Sequence, residues 1–474
     1  MNIRMEVDEM FIGRTNELTY LNEKYSSSQS EFIVLYGRRR IGKTELLKEF
    51  VHDKKHIFYA GNQITDFMQL KRITPLITKH FNQKIYSDSF DGWENLFIYI
   101  SEQLSPHEKT VLVFDEFPYM VEANTGIPSI LQSSWDHMLK DKNIMLVICG
   151  SSMSFMEKDI LSEKNPLYGR TTGVLKLNEM DFLSARGFMP GLTINEQISY
   201  YSIFSGVPYY LSLINSHLTL QENVVANIMG NGSVLFNEPE FLLKQELREV
   251  NVYNAIISTI ALGKTKSNEI SQLTGVDKNK LPYYLNSLIN LGIIKKEFPS
   301  TIKTKELTKS RAGIYILNSS FFKFYYRFIY SYISELMDGN IDILYEDLIE
   351  PQLSEFIGHT FEDIAISYLR SINGSNTLPL RFVKIGRWWN RGTEIDIVGY
   401  DLKNNYVFGE CKWRNEKMGM NVLKQLQEKS LSVTRHTSQK YYVLFSKSGF
   451  TKELEDLAKL DSNLLLFDFS TLFK

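Results

Sequence analysis

Residues 31–50, EFIVLYGRRRIGKTELLKEF, constrain the fold more tightly than any other part of the chain. Phe32, Ile33, Val34, Leu35 and Tyr36 form the apolar run of a buried strand. Gly37-Arg38-Arg39-Arg40-Ile41-Gly42-Lys43-Thr44 follows at once and fits G-x-x-x-x-G-K-[ST]. After Glu45, Leu46, Leu47 and Phe50 stand at helical spacing. Gly37 and Gly42 let the backbone turn tightly and offer its N–H groups to phosphate oxygens, with the positive end of the new helix aimed at the same place. Lys43 supplies a point charge for the β- and γ-phosphates, and the Thr44 hydroxyl a ligand for Mg²⁺. The loop positions Gly37 to Thr44, with Glu45, are therefore the candidate nucleotide-binding residues, and ATP with Mg²⁺ is the expected cofactor pair.

At 474 residues the chain is too long for one core, and about two to four domains are expected. A formal net charge of −2 excludes a surface basic throughout, so contact with nucleic acid has to come from local patches. Cys149 and Cys411, both inside apolar runs, read as buried thiols of a reducing compartment, with no disulfide framework and no cysteine metal site. The first residues lack an apolar signal region, and no run of about 18 uncharged apolar residues follows. A cytoplasmic protein without membrane spans is expected.

Residues 56–60 read as the next strand, and 66–80 and 92–104 as helices. The apolar run 110–114 ends in Asp115 and Glu116, the second half of a nucleotide site. Asp115 would hold Mg²⁺ through water, and Glu116 would polarise the attacking water. Residues 143–150 form another buried strand leading into Ser151 and Ser152. A serine there suits either a contact to the γ-phosphate or the water, or a helix N-cap. Residues 173–177 make a fifth strand, and alternation of strands with helices predicts a parallel α/β sheet with ligands at the strand C-terminal ends. Arg170 lies between the fourth and fifth strands. As an arginine finger it would have to be presented by another domain or by a neighbouring subunit of a homo-oligomer; a salt-bridged surface arginine is the plain alternative.

FIGRTNEL, GRRRIGKT, VLVFDEF, CGSS, PLYGR and GVPYY appear in that order. In this the chain resembles the archaeal ATPase family, a relative of the AAA+ and STAND ATPases, over residues 9–215. The resemblance implies that Gly13 and Arg14 lie near the adenine and that Ser151 or Ser152 is the sensor 1 residue. It also implies a helical lid from Glu179 onward, with GVPYY near the nucleotide. No sensor-2 arginine accompanies that motif.

Residues 249–262, 266–273 and 277–291 carry helical patterns, the last with Leu281, Leu285, Leu288 and Leu291 on one stripe and Gly292 as its stop. Residues 293–296 and 313–317 look like strands around a basic loop, and the whole describes a winged helix. Lys278, Asn279 and Lys280 stand at the start of the recognition helix, where base edges of DNA are usually met, and Lys295, Lys296, Lys303, Lys305, Lys309 and Arg311 on the wing form a basic patch for its phosphates. The alternative is an interdomain module. The aromatic stretch 321–337 reads as a buried connecting helix rather than a base-stacking surface.

In the last part, residues 352–369 read as a helix containing Glu362. Residues 393–400 and 406–413 read as a hairpin turning at Asn404-Asn405. Strand alternation puts Glu410 and Lys412 on one side, making a cluster with Asp396. Two carboxylates of this kind suit Mg²⁺, and the lysine suits a phosphodiester. The pattern resembles the PD-(D/E)xK nuclease superfamily, particularly archaeal Holliday-junction resolvases and Mrr-like endonucleases, with Ile395 where a proline is usual. The resemblance implies that Asp396 and Glu410 are metal-binding and catalytic, that Lys412 is catalytic, and that Glu362 is the acid on the first helix; Gln425 matches a further polar position. The expected domains are a P-loop core at 1–178, a helical lid at 179–235, a winged helix at 236–318, a helical linker at 319–345 and a nuclease-like α/β domain at 346–474. Residues 387–391, arginine- and tryptophan-rich, read as a loop beside the acids that suits DNA. The function expected is ATP hydrolysis coupled to DNA binding and metal-dependent cleavage. The alternatives are an ATP-switched signalling or scaffold protein, and a DNA-binding regulator with an inert C-terminal domain.

Overall fold

The computed structural model describes residues 11–82, 89–375, 377–434 and 438–469. The chain forms two compact units. The first runs to Met180 and includes Val207–Tyr209 and Leu242–Arg248; the second takes Asp181–Gly206, Tyr210–Phe241 and Glu249–Lys474.

In the first unit, β1 (Glu31–Tyr36), β2 (His56–Ala60), β3 (Thr110–Asp115), β4 (Ile144–Gly150) and β5 (Gly173–Lys176) form one sheet in the order β2-β3-β4-β1-β5. Every neighbouring pair is parallel. All residues of β1, β3 and β4 are buried, as continuous apolar runs in a parallel sheet require. Parallel strands collect their C-terminal ends on one edge. There the glycine loop follows β1, Asp115 and Glu116 close β3, and Ser151 follows β4. Gly37 has no room for a side chain, because a Cβ there would lie 2.6 Å from the Leu177 carbonyl oxygen.

The second unit contains three helices, Val250–Ala261, Ser267–Thr274 and Leu281–Asn290, followed by the antiparallel pair β6 (Ile294–Glu297) and β7 (Ile314–Leu317). Lys278, Asn279 and Lys280 precede the third helix instead of forming its first turn, since Pro282 supports a start only at Leu281. All three are exposed. The aromatic stretch is helical over Ser320–Phe324 and Tyr325–Ile329 and loosens at Tyr330–Tyr332. Phe321, Phe322, Phe324, Tyr325, Tyr326 and Phe328 are all buried, and the Tyr326 hydroxyl donates to Asn254 Oδ1 at 2.6 Å. These rings are core, out of reach of bases.

The helix Glu350–Ser371 then leads to β8 (Lys384–Asn390), β9 (Thr393–Tyr400), β10 (Tyr406–Lys412), the helix Met420–Ser430, β11 (Lys440–Ser446), the helix Lys452–Leu460 and β12 (Leu464–Asp468). The sheet order is β12-β11-β10-β9-β8; β10, β11 and β12 run parallel, and β8 and β9 antiparallel to their neighbours. One face packs Ile397, Val443 and Phe445 on Phe361, Ile364 and Leu369 of the long helix. The other packs Val398, Phe408 and Leu444 on Leu423, Leu426 and Leu454. Phe182 and Ile198, from the region expected as a lid, join the first of these clusters. Residues 387–390, expected as part of a loop, are instead the end of β8, paired to β9 through Trp388↔Ile395 and Trp389↔Glu394. No helix among the described residues is long and apolar enough to cross a membrane. Cys149 and Cys411 are buried free thiols.

Candidate nucleotide site and acidic cluster

The glycine loop is braced from several directions. Lys43 is buried, and its Nζ donates to the Gly37 and Arg38 carbonyl oxygens at 2.8 and 3.1 Å. Desolvation lowers its pKa from the ordinary lysine value. Gly42 takes a left-handed φ of 87°, which opens the helix Lys43–Val51. The three loop arginines each have a partner. Arg38 Nη2 lies 2.8 Å from Glu179 Oε1, Arg39 donates to the Tyr119 hydroxyl at 2.7 Å, and Arg40 stacks 4.5 Å above the Tyr209 ring. Glu45 is exposed and paired with Lys48, turned to solvent. Ile41 is buried under the loop. Gly13 and Arg14 both adopt positive φ. The Arg14 side chain is buried and donates to the Ile41 and Asn178 carbonyl oxygens, so it braces the loop backbone.

The second half of the site meets the first directly. The Thr44 hydroxyl donates to Asp115 Oδ2 at 2.7 Å. This pair joins the two oxygen groups that the sequence reading assigns to Mg²⁺. Glu116 sits in the left-handed region at φ 49°, a strained conformation for a non-glycine residue. Its Oε1 accepts the hydrogen bond of the Ser151 hydroxyl. Ser152 instead caps the next turn, its Oγ accepting from Phe155 N at 3.4 Å. Ser152 thus takes the cap, and Ser151 meets the carboxylate that follows β3. Burial pushes the pKa of the neighbouring Cys149 thiol up, which keeps it protonated.

Arg170 lies elsewhere. Two residues on, the Thr172 N–H donates to the Phe32 carbonyl oxygen, at the edge where the strands begin. The loop lies at the other end of β1, so Arg170 does not reach the nucleotide site of its own chain. It forms a forked pair with Asp136, at 3.1 Å from Nε and 3.0 Å from Nη2, which lowers the pKa of that carboxyl. A groove of about 1180 Å³ opens at the same edge, lined by Lys109, Trp135, Lys140, Asn143 and Thr172 among others, and holds none of the phosphate-site residues.

In the second unit β9 and β10 bring Asp396, Glu410 and Lys412 together. Asp396 Oδ2 accepts the Cys411 N–H at 2.8 Å, and Glu410 Oε1 accepts from Lys412 Nζ at 2.7 Å. Burial, with Glu362 and Glu410 nearby, pushes the pKa of Asp396 up to about 7. Burial opposes the charge on Lys412, but Glu410 outweighs it and raises the pKa. Glu362 is committed elsewhere: Arg387 Nε donates to it at 2.9 Å, and His359 stands at 3.5 Å. The same guanidinium lies 2.9 Å from Asp363 and 3.7 Å from Glu297 of β6. Gln425 is exposed on the helix Met420–Ser430, and one turn on it is Lys429 that reaches Glu410, at 3.4 Å. Among the described residues no group of three or more His, Cys, Asp or Glu stands ready to hold a metal. The donors on offer are Asp396 and Glu410.

The segment between β6 and β7 packs along the β8 edge. The Ser300 N–H donates to the Arg387 carbonyl oxygen at 2.9 Å, and Trp389 Nε1 to the Ala312 carbonyl oxygen at 3.2 Å. Lys303, Lys305, Lys309 and Arg311 stay exposed. Sequence reasoning missed Lys429, the hub role of Arg387, and Glu246, whose carboxylate holds the turn after Ser151. Only for Lys429 was there a local signal, its spacing of one helical turn from Gln425.

A five-stranded parallel sheet with a glycine loop after β1 and an acidic pair after β3 defines a P-loop ATPase. A model of the ATPase domain predominantly from Archaea matches residues 11–214. A second, of archaea bacterial proteins of unknown function, matches residues 325–429. The uncharacterized protein MJECL04 of Methanocaldococcus jannaschii is 34% identical over 464 residues, covering 97% of this chain and 100% of that protein. The chain belongs to this family of archaeal ATPases. The uncharacterized ATP-binding protein MJ0423 of the same organism is 48% identical over 46 residues, 10% of this chain and 78% of that protein. The Walker-type ATPase PABY2304 of Pyrococcus abyssi shares the fold at a TM-score of 0.51 and 17% identity, over 67% of this chain and 96% of that one.

Proposed function

We propose that this ATPase couples ATP hydrolysis to DNA binding and DNA cleavage by its second unit. In the first unit Lys43 would leave the loop carbonyls for the β- and γ-phosphates. Glu116, oriented by Ser151, would take the proton of the water that attacks the γ-phosphorus as the bond to ADP breaks. Mg²⁺, held by Thr44 and by Asp115 through water, would neutralise phosphate charge.

One observation carries the nuclease reading. Asp396, Glu410 and Lys412 converge on adjacent antiparallel strands that follow the helix bearing Glu362, as the PD-(D/E)xK resemblance implies. Lys412 would orient a phosphodiester and stabilise the charge that develops on it, with Lys429 as a second cation. A metal at Asp396 and Glu410 would supply an activated water. The three helices with the β6–β7 hairpin read as a winged helix, whose exposed wing lysines suit a DNA backbone. A second reading, an ATP-switched scaffold, draws on the ion pair that commits Glu362 to Arg387 and on the wing lying against β8.

Labelled linear, nicked and four-way-junction DNA, incubated with Mg²⁺ or Mn²⁺ with and without ATP, separates the two. Cleavage that disappears in Asp396→Ala supports the nuclease. Intact DNA on every substrate with the native protein favours the scaffold.

A further inference from the structure

The turn that follows Ser151 is not held by its own neighbours alone. Glu246, 94 residues on from Ser152, places its carboxylate there. Oε1 accepts the Met153 N–H at 3.1 Å, and Oε2 accepts the Ser154 N–H at 3.2 Å and the Ser152 hydroxyl at 3.4 Å. Ser152, Met153 and Ser154 are thus fixed by one side chain, and the residue before them is the one whose hydroxyl holds Glu116. Glu246 belongs to Leu242–Arg248, a segment of the first unit flanked in sequence on both sides by segments of the second.

Two physical points make this more than a helix cap. Backbone N–H groups at the start of a helix need partners, but Ser152 already serves Phe155 N, so the local requirement for a cap is partly met. The second point is geometric. A general base aligned through a single hydroxyl is sensitive to small movements of that hydroxyl, and a shift on the order of 1 Å costs about a hundredfold in rate. Glu116 already sits in a strained backbone conformation, which persists only where surrounding contacts over-determine it.

We propose that Glu246 is a positioning residue for ATP hydrolysis: it fixes the 152–154 turn so that Ser151 holds Glu116 in line with the attacking water. The inference rests on the reading of Glu116 as the base and Ser151 as its orienting partner.

The test is nucleotide affinity and steady-state turnover of the full chain with Glu246→Ala, Glu246→Asp and Ser151→Ala, singly and with Glu246→Ala and Ser151→Ala combined. Glu246→Ala should lower kcat by about a hundredfold while the Kd for Mg·ATP stays within about threefold, since the loop that binds phosphate is untouched. Glu246→Asp should recover part of kcat. Ser151→Ala should cost little more on top of Glu246→Ala, because both break one alignment. Kinetics of Glu246→Ala equal to the native protein, a loss of kcat matched by an equal loss of affinity, or additive effects of the two alanines would each overturn the proposal. Native protein without turnover would overturn the hydrolysis reading and this inference with it; turnover unchanged in Glu246→Ala, with Glu116→Gln inactive, overturns this inference alone.

Discussion

Asp396→Asn should stabilise the second unit, and the gain should depend on pH. Asp396 is largely shut away from water beside Glu362 and Glu410, and its carboxyl pKa rises from 3.8 to about 7. The hydrogen bond it accepts from the Cys411 N–H at 2.8 Å is one an asparagine oxygen also accepts. A pKa raised on folding means that the native state prefers the protonated acid. Below pH 4 the group therefore costs nothing, and the penalty grows as pH rises and the unfolded carboxylate ionises freely. It levels off above pH 7 at no more than about 4 kcal/mol, taking 1.36 kcal/mol per pKa unit. Between pH 5 and pH 8 the advantage of the neutral asparagine should grow by about 2–3 kcal/mol. Urea denaturation at the two pH values measures it, followed through the emission of Trp388, Trp389 and Trp413, which lie in the second unit. Equal advantages at pH 5 and pH 8, or a variant less stable than the native protein at pH 8, would refute the burial argument.

Arg387→Ala should destabilise the same unit by about 3–5 kcal/mol, because it strips the cation from Glu362, Asp363 and Glu297 together; thermal unfolding reads the loss. Gly37→Ala should abolish nucleotide binding, because its Cβ would lie 2.6 Å from the Leu177 carbonyl oxygen; calorimetric titration with Mg·ATP checks it. If Arg170 acts in trans, Arg170→Ala and Lys43→Ala variants, each inactive alone, should regain turnover when mixed, since one lends an intact site and the other an intact finger. Mixtures as inactive as their components would leave Arg170 as the partner of Asp136 alone.

What the sequence made legible follows from the range over which each signal acts. The strand, glycine loop and helix at 31–51 are encoded by adjacent residues, as is the acidic pair that closes β3. Glu410 and Lys412 share a side because strand geometry alternates, and the ion pair between them follows. The stretch 387–390 misled because its arginine and two tryptophans look like a binding loop. Its neighbours decide otherwise: β9 pairs along one side and the segment between β6 and β7 covers the other, so Trp388 turns into the core while Arg387 meets carboxylates from two other elements. Pairings such as Glu362 with Arg387, or Glu246 with the 152–154 turn, join residues far apart in the chain and leave no local pattern.

Nucleotide binding by the glycine loop underlies every other activity considered for this chain. Lys43 is the decisive residue, since its buried ammonium is held by two loop carbonyls in the place where phosphate oxygens would take over. The most direct measurement is calorimetric titration of the native protein and of Lys43→Ala with Mg·ATP. Saturable binding by the native protein, weakened about a hundredfold in the variant by the loss of charge-assisted bonds, is the result expected. No binding by the native protein, or equal affinity in the two, would contradict the central claim.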